Sequence, residues 1–460
     1  MTSLVSASVY LWLVSKLTPS ELGIVTTGYS VYLMLYLFKD FGLTPAIVSQ
    51  RDATHEFLVS AYTLRICIVL LLASAGLVIS AVLPEILDAQ EIRWIVILVV
   101  FSLFAEALGF LSAAMLQRDL AFVALARVDV ATACVAGGTT VVIALYGYPV
   151  LALFAGLALS SLLRSLLLIR LRPVRGRLSL KMLRGYGLLA FGSQLFIIKG
   201  VSYAVLNLNV FVLASVDLRT LGFYGLAAQW ATKPSDMFSF VVNRVMLPAY
   251  SAVVRSGKDV FRSYLTTTRY LSILALGVFC VLIGFGPLFV NSAYGPEWRG
   301  SVPILEALLV FGLIRTLAEP AGSLLVSVQR PGLYMWAQIL GLAVMAVLVY
   351  PVAQEFGAFG CSILLTSVFV LHLCALWILV PRLFGSNSLA VLSEVARPTL
   401  SAIVAVLVAG STYLLVHGDW VFLVLTVQVP IVYILSLRLL AYDDLRSAMS
   451  LARQAVLAGR

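Results

Sequence analysis

The sequence predicts an all-α integral membrane protein of about fourteen transmembrane helices: two parallel-repeat lobes of six helices around a central cavity, plus two C-terminal helices. Three observations carry that prediction. Of the 460 residues, 62% are hydrophobic and only 11% charged, with a mean hydropathy of +1.04, far from the roughly half-apolar composition of water-soluble domains. Apolar runs of helix-spanning length recur from end to end, each close to the ~20 residues that a ~30 Å hydrocarbon core requires. They are continuous and not alternating, which excludes a β-barrel. The third observation is an internal repeat.

The spans centre near Val9, Met34, Leu70, Leu103, Ala133, Leu157, Phe196, Phe238, Val278, Val310, Val344, Leu371, Val406 and Leu425. The first is the shortest, because Lys16 follows so closely on Met1. It lacks the basic n-region and cleavage site of a signal peptide, and its shortness points to a start upstream of Met1. Between the spans, "YGYP" at Tyr146 to Pro149 and "YGPEW" at Tyr294 to Trp298 read as loop punctuation with interfacial aromatics.

The repeat links "KLTPSELGIVTTGYSVYLMLYLFKDFGLTPAIVSQR" to "SVDLRTLGFYGLAAQWATKPSDMFSFVVNRVMLPAYSAVVR". Each runs from a Leu-Gly pair (Leu22-Gly23, Leu221-Gly222) to a Pro-Ala pair (Pro45-Ala46, Pro248-Ala249) and then an arginine (Arg51, Arg255). The second copy is longer by about four residues, roughly one helical turn. Gln117-Arg118 likewise matches Gln329-Arg330. Six spans separate each pair, so matched positions emerge on the same membrane face and the repeats are parallel. The expected organisation is an N-lobe with its connector at 1–183, a C-lobe at 184–395, two appended helices at 396–440 and a tail at 441–460.

The net charge of +10 is distributed as membrane topology requires and not as nucleic-acid binding would. Arg170, Arg172, Arg175, Arg177, Lys181 and Arg184 crowd one loop, and Arg255, Lys258 and Arg262 another. Loops with Arg51, Arg118, Arg330 and Arg382 fall on the same side, as does the tail with Arg446, Arg453 and Arg460. The opposite side carries only Lys16, Arg93, Arg219 and Arg299, so the positive-inside rule places both termini in the cytoplasm of a bacterial-type inner membrane. Cys67, Cys134, Cys280, Cys361 and Cys374 sit in apolar runs without paired spacing and read as packing residues. His55, His372 and His417 form no metal-ligand pattern.

Charge at bilayer depth costs roughly 2.5–3.5 kcal/mol per side chain, so it faces a wet cavity or a partner. Lys39 and Asp40 in the second span, Glu106 in the fourth and Lys199 in the seventh all bear that cost. So do Lys233, Asp236 and Arg244 in the eighth span and Arg315 and Glu319 in the tenth. Structural ion pairing is the plainer reading, since Lys233 and Asp236 are spaced i,i+3 and Arg315 and Glu319 i,i+4. The eighth span argues for more. At ~100° per residue, Gln229, Lys233, Asp236, Phe240 and Arg244 fall within a stripe of about 80°, several turns deep. Counting back from the Pro-Ala pairs aligns Asp40 with Asn243 and Phe41 with Arg244, so equivalent depths of the two lobes present polar groups. The seventh span adds Gln194, Asn207 and Asn209. The expected cavity set, with its slight cationic excess, is Lys39, Asp40, Lys199, Asn207, Gln229, Lys233, Asp236, Asn243, Arg244, Arg315 and Glu319. Such a surface suits a phosphate or pyrophosphate, with Arg as a bidentate fork and Lys as a point charge, beside hydroxyl-rich sugars.

The stretches "LTPSELG", "DFGLTPAIVSQ", "TLGFYGLAAQWATKPSDMFSFVVNRVMLPAYS" and "YGPEWRGSVPILEALLVFGLIRTLAEPAGSLLVSVQRPG" together resemble the Wzx-type lipopolysaccharide and exopolysaccharide flippases. These belong to the multidrug/oligosaccharidyl-lipid/polysaccharide (MOP) exporter superfamily, and the resemblance covers nearly the whole chain. It implies alternating access that carries an undecaprenyl-pyrophosphate-linked oligosaccharide from the cytoplasmic to the periplasmic leaflet, its sugars in the cavity and its tail in the lipid. Other polysaccharide-assembly proteins are the implied partners, with membrane lipids and without nucleic acid.

Two other readings predict different sequences. A membrane polymerase, ligase or glycosyltransferase needs acids, bases or metal ligands near an aqueous face, and here the external loops are short and acids such as Glu85, Asp88, Glu91, Glu297 and Glu355 are sparse. A drug or cation antiporter of the same superfamily calls for a dominant membrane carboxylate, whereas lysine and arginine prevail. No GxxxxGK[ST] motif is present, so direct ATP drive is not expected. The expectation is a carrier with no cofactor, coupled if at all to a proton or sodium gradient, with Asp236 as first candidate for the coupling carboxylate and Asp40 as second.

Overall fold

The computed structural model describes residues 2–40, 43–44, 47, 55–173, 188–415 and 421–440. The connector around Arg175 to Arg184 and the tail with Arg446 and Arg453 lie outside the described residues. All the regular structure among the described residues is helical: α1 (Thr2–Val14), α2 (Pro19–Asp40), α3 (His55–Leu87), α4 (Glu91–Leu108), α5 (Phe110–Arg118), α6 (Phe122–Leu145), α7 (Pro149–Leu171), α8 (Leu188–Val216), α9 (Leu218–Arg255), α10 (Val260–Tyr294), α11 (Val302–Ser327), α12 (Pro331–Leu383), α13 (Leu389–Leu415) and α14 (Val421–Leu440). Every expected span centre falls inside one of them, with Val344 and Leu371 sharing α12. Gly357, at φ 56 and ψ −147, breaks α12 into two helices, a conformation open to glycine because it carries no Cβ. Among the described residues nine helices are long and apolar enough to cross a membrane, or ten if α4 and α5, bent by 50°, form one span. Large apolar side chains such as Leu71, Val78, Leu340, Val347 and Leu407 lie exposed on these helices, as a protein solvated by lipid requires. The chain is a multi-pass membrane protein.

Helix starts follow the local chemistry. Thr18 and Glu21 form a capping box on α2: the Thr18 backbone N–H donates to Glu21 Oε2 at 2.8 Å, and the Glu21 N–H donates to Thr18 Oγ1 at 3.3 Å. Asp217 caps α9 by accepting from the backbone N–H of Arg219 at 3.0 Å and of Thr220 at 2.9 Å. Burial pulls the Asp217 carboxyl upward, but the hydrogen bonds from Thr220 and Arg219 more than reverse that and hold it below the usual carboxylate value. Asp259 caps α10 through the N–H of Arg262 at 3.1 Å.

The chain divides into two compact units, Met1–Gly222 and Phe223–Arg460. In the first, α6 and α7 form an antiparallel hairpin turned at Gly147, which has φ 91. The face of α4 with Ile92, Ile95, Val96, Val99 and Leu103 is buried. The repeat glycines meet here. A Cβ on Gly23 would stand 1.9 Å from the Leu218 carbonyl oxygen, and one on Gly222 1.8 Å from that of Pro19. The two copies of the Leu-Gly motif thus cross backbone to backbone, each glycine admitting the other copy's first turn.

In the second unit, Tyr250, Phe261, Tyr264, Leu317, Leu324 and Leu376 form a buried cluster. A second cluster seats α13 and α14 on α10. Ala402, Ala405 and Ala409 present a small-residue face to Ile273, Leu276 and Cys280. Tyr433 donates its hydroxyl to the Ile273 carbonyl at 2.8 Å.

Candidate functional site

Among the described residues, two networks of polar side chains join neighbouring spans, one in each unit. In the first, Lys39 near the end of α2 is buried and ion-paired with Glu106 of α4, their side chains 7% and 18% exposed. The Lys39 ammonium also lies over the Tyr36 ring, 3.0 Å from its centroid. Arg65 of α3, itself buried, donates to the Lys39 backbone carbonyl and rests over the Phe110 ring at 5.2 Å. The second oxygen of Glu106 accepts from Ser161 of α7 at 3.5 Å. One turn further along α7, Arg164 Nε donates to Asp129 of α6 at 3.1 Å. Asn207 of α8 packs on α2: the Ser30 hydroxyl donates to its Oδ1 at 3.5 Å, and Tyr203 donates to the Ser30 carbonyl at 2.6 Å.

The second cluster lies on α9 and α11. Asp236 accepts from Arg315 at 3.0 Å, a pair between helices and not within one. Glu319, one turn on from Arg315, accepts from Ser239 at 2.6 Å and from Asn243 at 3.2 Å, and Ser323 donates to Asn243 Oδ1 at 3.1 Å. Residues 315, 319 and 323 of α11 therefore mesh with 236, 239 and 243 of α9, rows spaced three or four residues apart on facing helices. The spacing-based pairs Lys233 with Asp236 and Arg315 with Glu319 do not form; the carboxylates turn to the neighbouring helix instead. Lys233, Asp236, Phe240 and Arg244 are all exposed, with Gln229 half-buried. Arg244 lies over the Phe240 ring at 5.2 Å. Among the described residues neither Lys233 nor Arg244 has an ion-pair partner, so the α9 face keeps two cations available.

The expected set is thus distributed between the two clusters: Lys39 and Asn207 in the first, Gln229, Lys233, Asp236, Asn243, Arg244, Arg315 and Glu319 in the second. The side chains of Asp40 and Lys199 lie outside the described residues. Arg65, Asp129 and Arg164 were absent from the expectation. A signal for the last two was there: Asp129 lies eighteen residues before Gly147 and Arg164 seventeen after it, so a hairpin turned at Gly147 brings them to one depth.

The family described as polysaccharide biosynthesis protein matches residues 15–303, more than half of the chain. The chain belongs to this family. Its relatives include the lipopolysaccharide biosynthesis protein WzxC of Escherichia coli (strain K12), 23% identical over 317 residues that cover 67% of this chain and 64% of WzxC. The teichuronic acid biosynthesis protein TuaB of Bacillus subtilis (strain 168) is 24% identical, over 65% of this chain and 62% of TuaB. The match spans a little under two thirds of the length of both relatives. Among solved structures, the lipid II flippase MurJ in an inward closed conformation superposes with a TM-score of 0.73 at 15% identity, covering 96% of this chain and 99% of MurJ. An inward-facing multidrug resistance MATE family transporter of the MOP superfamily gives 0.60 at 15% identity, covering 84% and 94%. Those two likenesses are of fold.

Proposed function

We propose that this polysaccharide biosynthesis family member is a flippase, translocating a polyprenyl-pyrophosphate-linked oligosaccharide from the cytoplasmic to the periplasmic leaflet of a bacterial inner membrane. The observation that carries the reading is the family match, joined to a fold that extends along nearly the whole of a lipid II flippase. The chemistry agrees. Lys233 and Arg244 stand exposed on α9 without ion-pair partners among the described residues, a point charge and a planar fork of the kind that engages pyrophosphate oxygens. The polar network of Asp236, Arg315, Glu319 and Asn243 holds that face in a fixed register.

The reaction proposed is transport, with no covalent bond made or broken by the chain. Both termini and the basic connector face the cytoplasm, following the positive-inside bias of the loops. Resetting the empty carrier is assigned to a proton or sodium gradient acting on Asp236, the exposed carboxylate of the α9 face. Other polysaccharide-assembly proteins are the proposed partners.

The MATE likeness supports a second reading, a drug or cation antiporter. Deletion of the gene separates them. A flippase mutant loses one surface glycan and accumulates its lipid-linked intermediate on the cytoplasmic side. An antiporter mutant keeps its glycans and becomes sensitive to an exported compound, and that outcome would overturn the proposal.

A further inference from the structure

The first unit holds a cavity of about 270 Å³ between α2, α4, α6 and α7, walled by Tyr32, Tyr36, Glu106, Thr132, Ser160, Ser161 and Arg164. Ligand pockets run upward from ~300 Å³, so this volume suits one ring or two and not an extended chain. Its charges cancel. Lys39 neutralises Glu106, and Asp129 neutralises Arg164. An anion would need a net positive wall, so balanced pairs leave hydrogen bonding as the means of recognition.

The walls keep hydrogen-bonding capacity in reserve. One oxygen of Glu106 is held by Lys39, while the other, among the described residues, reaches only the Ser161 hydroxyl at 3.5 Å, the outer limit of a hydrogen bond. Arg164 engages Asp129 through Nε, leaving its terminal nitrogens as donors. The hydroxyl protons of Ser160 and Thr132 go to the backbone carbonyls of Leu157 at 3.0 Å and Val128 at 2.9 Å, which leaves both oxygens able to accept. Donors and acceptors thus stand side by side, matching a hydroxyl that both gives and takes a hydrogen bond. Tyr32 and Tyr36 add ring surface for the C–H face of a sugar. They belong to a ladder along α2, with Tyr29 to Tyr32 at 5.7 Å and Tyr32 to Tyr36 at 5.3 Å between ring centroids.

We infer that this cavity is a recognition site for an uncharged sugar ring, built from residues other than those of the α9 face. The inference deepens the flippase reading, on which it rests for the identification of the sugar as part of a lipid-linked substrate.

The test uses the full chain in lipid nanodiscs and a panel of neutral methyl glycosides: glucoside, galactoside, mannoside, rhamnoside and N-acetylglucosaminide. Saturation-transfer NMR reads binding, and inorganic pyrophosphate serves as competitor. At least one glycoside is expected to bind the unmodified protein without displacement by pyrophosphate. Binding should weaken at least about tenfold in Arg164→Gln, which removes a charged donor. The same loss is expected in Ser160→Leu, which fills the cavity and removes no charge. The inference is overturned if no glycoside binds, if pyrophosphate displaces it, or if both variants, folded by size-exclusion profile and thermal midpoint, keep the unmodified affinity. Translocation of lipid-linked saccharide in vesicles is read separately. Glycoside binding without translocation sinks the flippase reading and leaves the sugar site standing; translocation with undiminished binding in the variants does the reverse.

Discussion

Replacing Glu106 by leucine should deprive the buried Lys39 ammonium of its ion-pair carboxylate on α4. The side chain of Lys39 is 7% exposed and packed over Tyr36, so its charge loses an ion-pair partner that bulk water does not replace. At an effective dielectric of 20 and ~4 Å, one such pair is worth about 4 kcal/mol, and breaking a buried pair from one side costs about 3–5 kcal/mol. Glu106 also borders the polar cavity, where its carboxylate keeps some solvation, so the reverse change, Lys39→Met, should cost less, about 2–3 kcal/mol. Removing both charges together should recover most of the loss, because apolar side chains of similar size tolerate the same site. The assay is a double-mutant cycle on purified protein, with unfolding followed by denaturant titration in mixed micelles. A coupling energy of at least about 2 kcal/mol is expected. Additive single changes, within about 0.5 kcal/mol, would refute the claim that these two residues form a buried pair.

The other expectations are smaller or more local. Asp236→Asn should change stability by less than about 1 kcal/mol, since its pair with Arg315 is half-exposed, yet abolish the response of vesicle transport to an imposed proton or sodium gradient; a full response in that variant excludes Asp236 as the coupling group. Asp217→Ala should cost about 0.5–1 kcal/mol by uncapping α9, as read by thermal midpoint. Because the folded state holds the Asp217 carboxyl below its usual value, that contribution is present at neutral pH and fades as pH falls through the folded value, so the gap between variant and parent should narrow toward strong acid. Gly222→Val and Gly23→Val should each abolish a monodisperse size-exclusion profile, whereas Gly410→Val, with no neighbour among the described residues within 4 Å of its added Cβ, should not. Neutralising the exposed cations of α9, Lys233→Ala or Arg244→Ala, should impair transport more than Arg446→Ala or Arg453→Ala at matched expression.

The spans were legible because lipid imposes one rule on all of them, a continuous apolar run of fixed length. Val344 and Leu371 marked two spans correctly, although Gly357 joins them with so little loop that they run on as α12. The crossing of Gly23 and Gly222 was half legible: the repeat singled out both glycines, but sequence similarity between two segments does not say that they touch. The stripe on α9 came from periodicity alone, and its exposed residues share that face. Partner choice was the least legible. Asp236 had Lys233 one turn away and Arg315 on another helix, and spacing along one chain cannot rank an intrahelical partner against one that packing delivers. The same limit hid Arg65, whose described hydrogen bond goes to a backbone carbonyl, a partner that every residue carries and that no pattern marks. Asp129 and Arg164 were within reach, lying within one residue of the same distance from a turn that Gly147 and Pro149 announce.

The central claim is transport, and purified protein in sealed vesicles tests it most directly. Lipid-linked oligosaccharide with labelled sugars is placed in one leaflet, and its access to an impermeant sugar-modifying reagent on the far side is followed over time. The account predicts that label appears on the far side only in vesicles containing the protein, with the lipid-linked saccharide recovered chemically unchanged. Label that stays in its original leaflet, or that is recovered in a newly joined glycan, would contradict it.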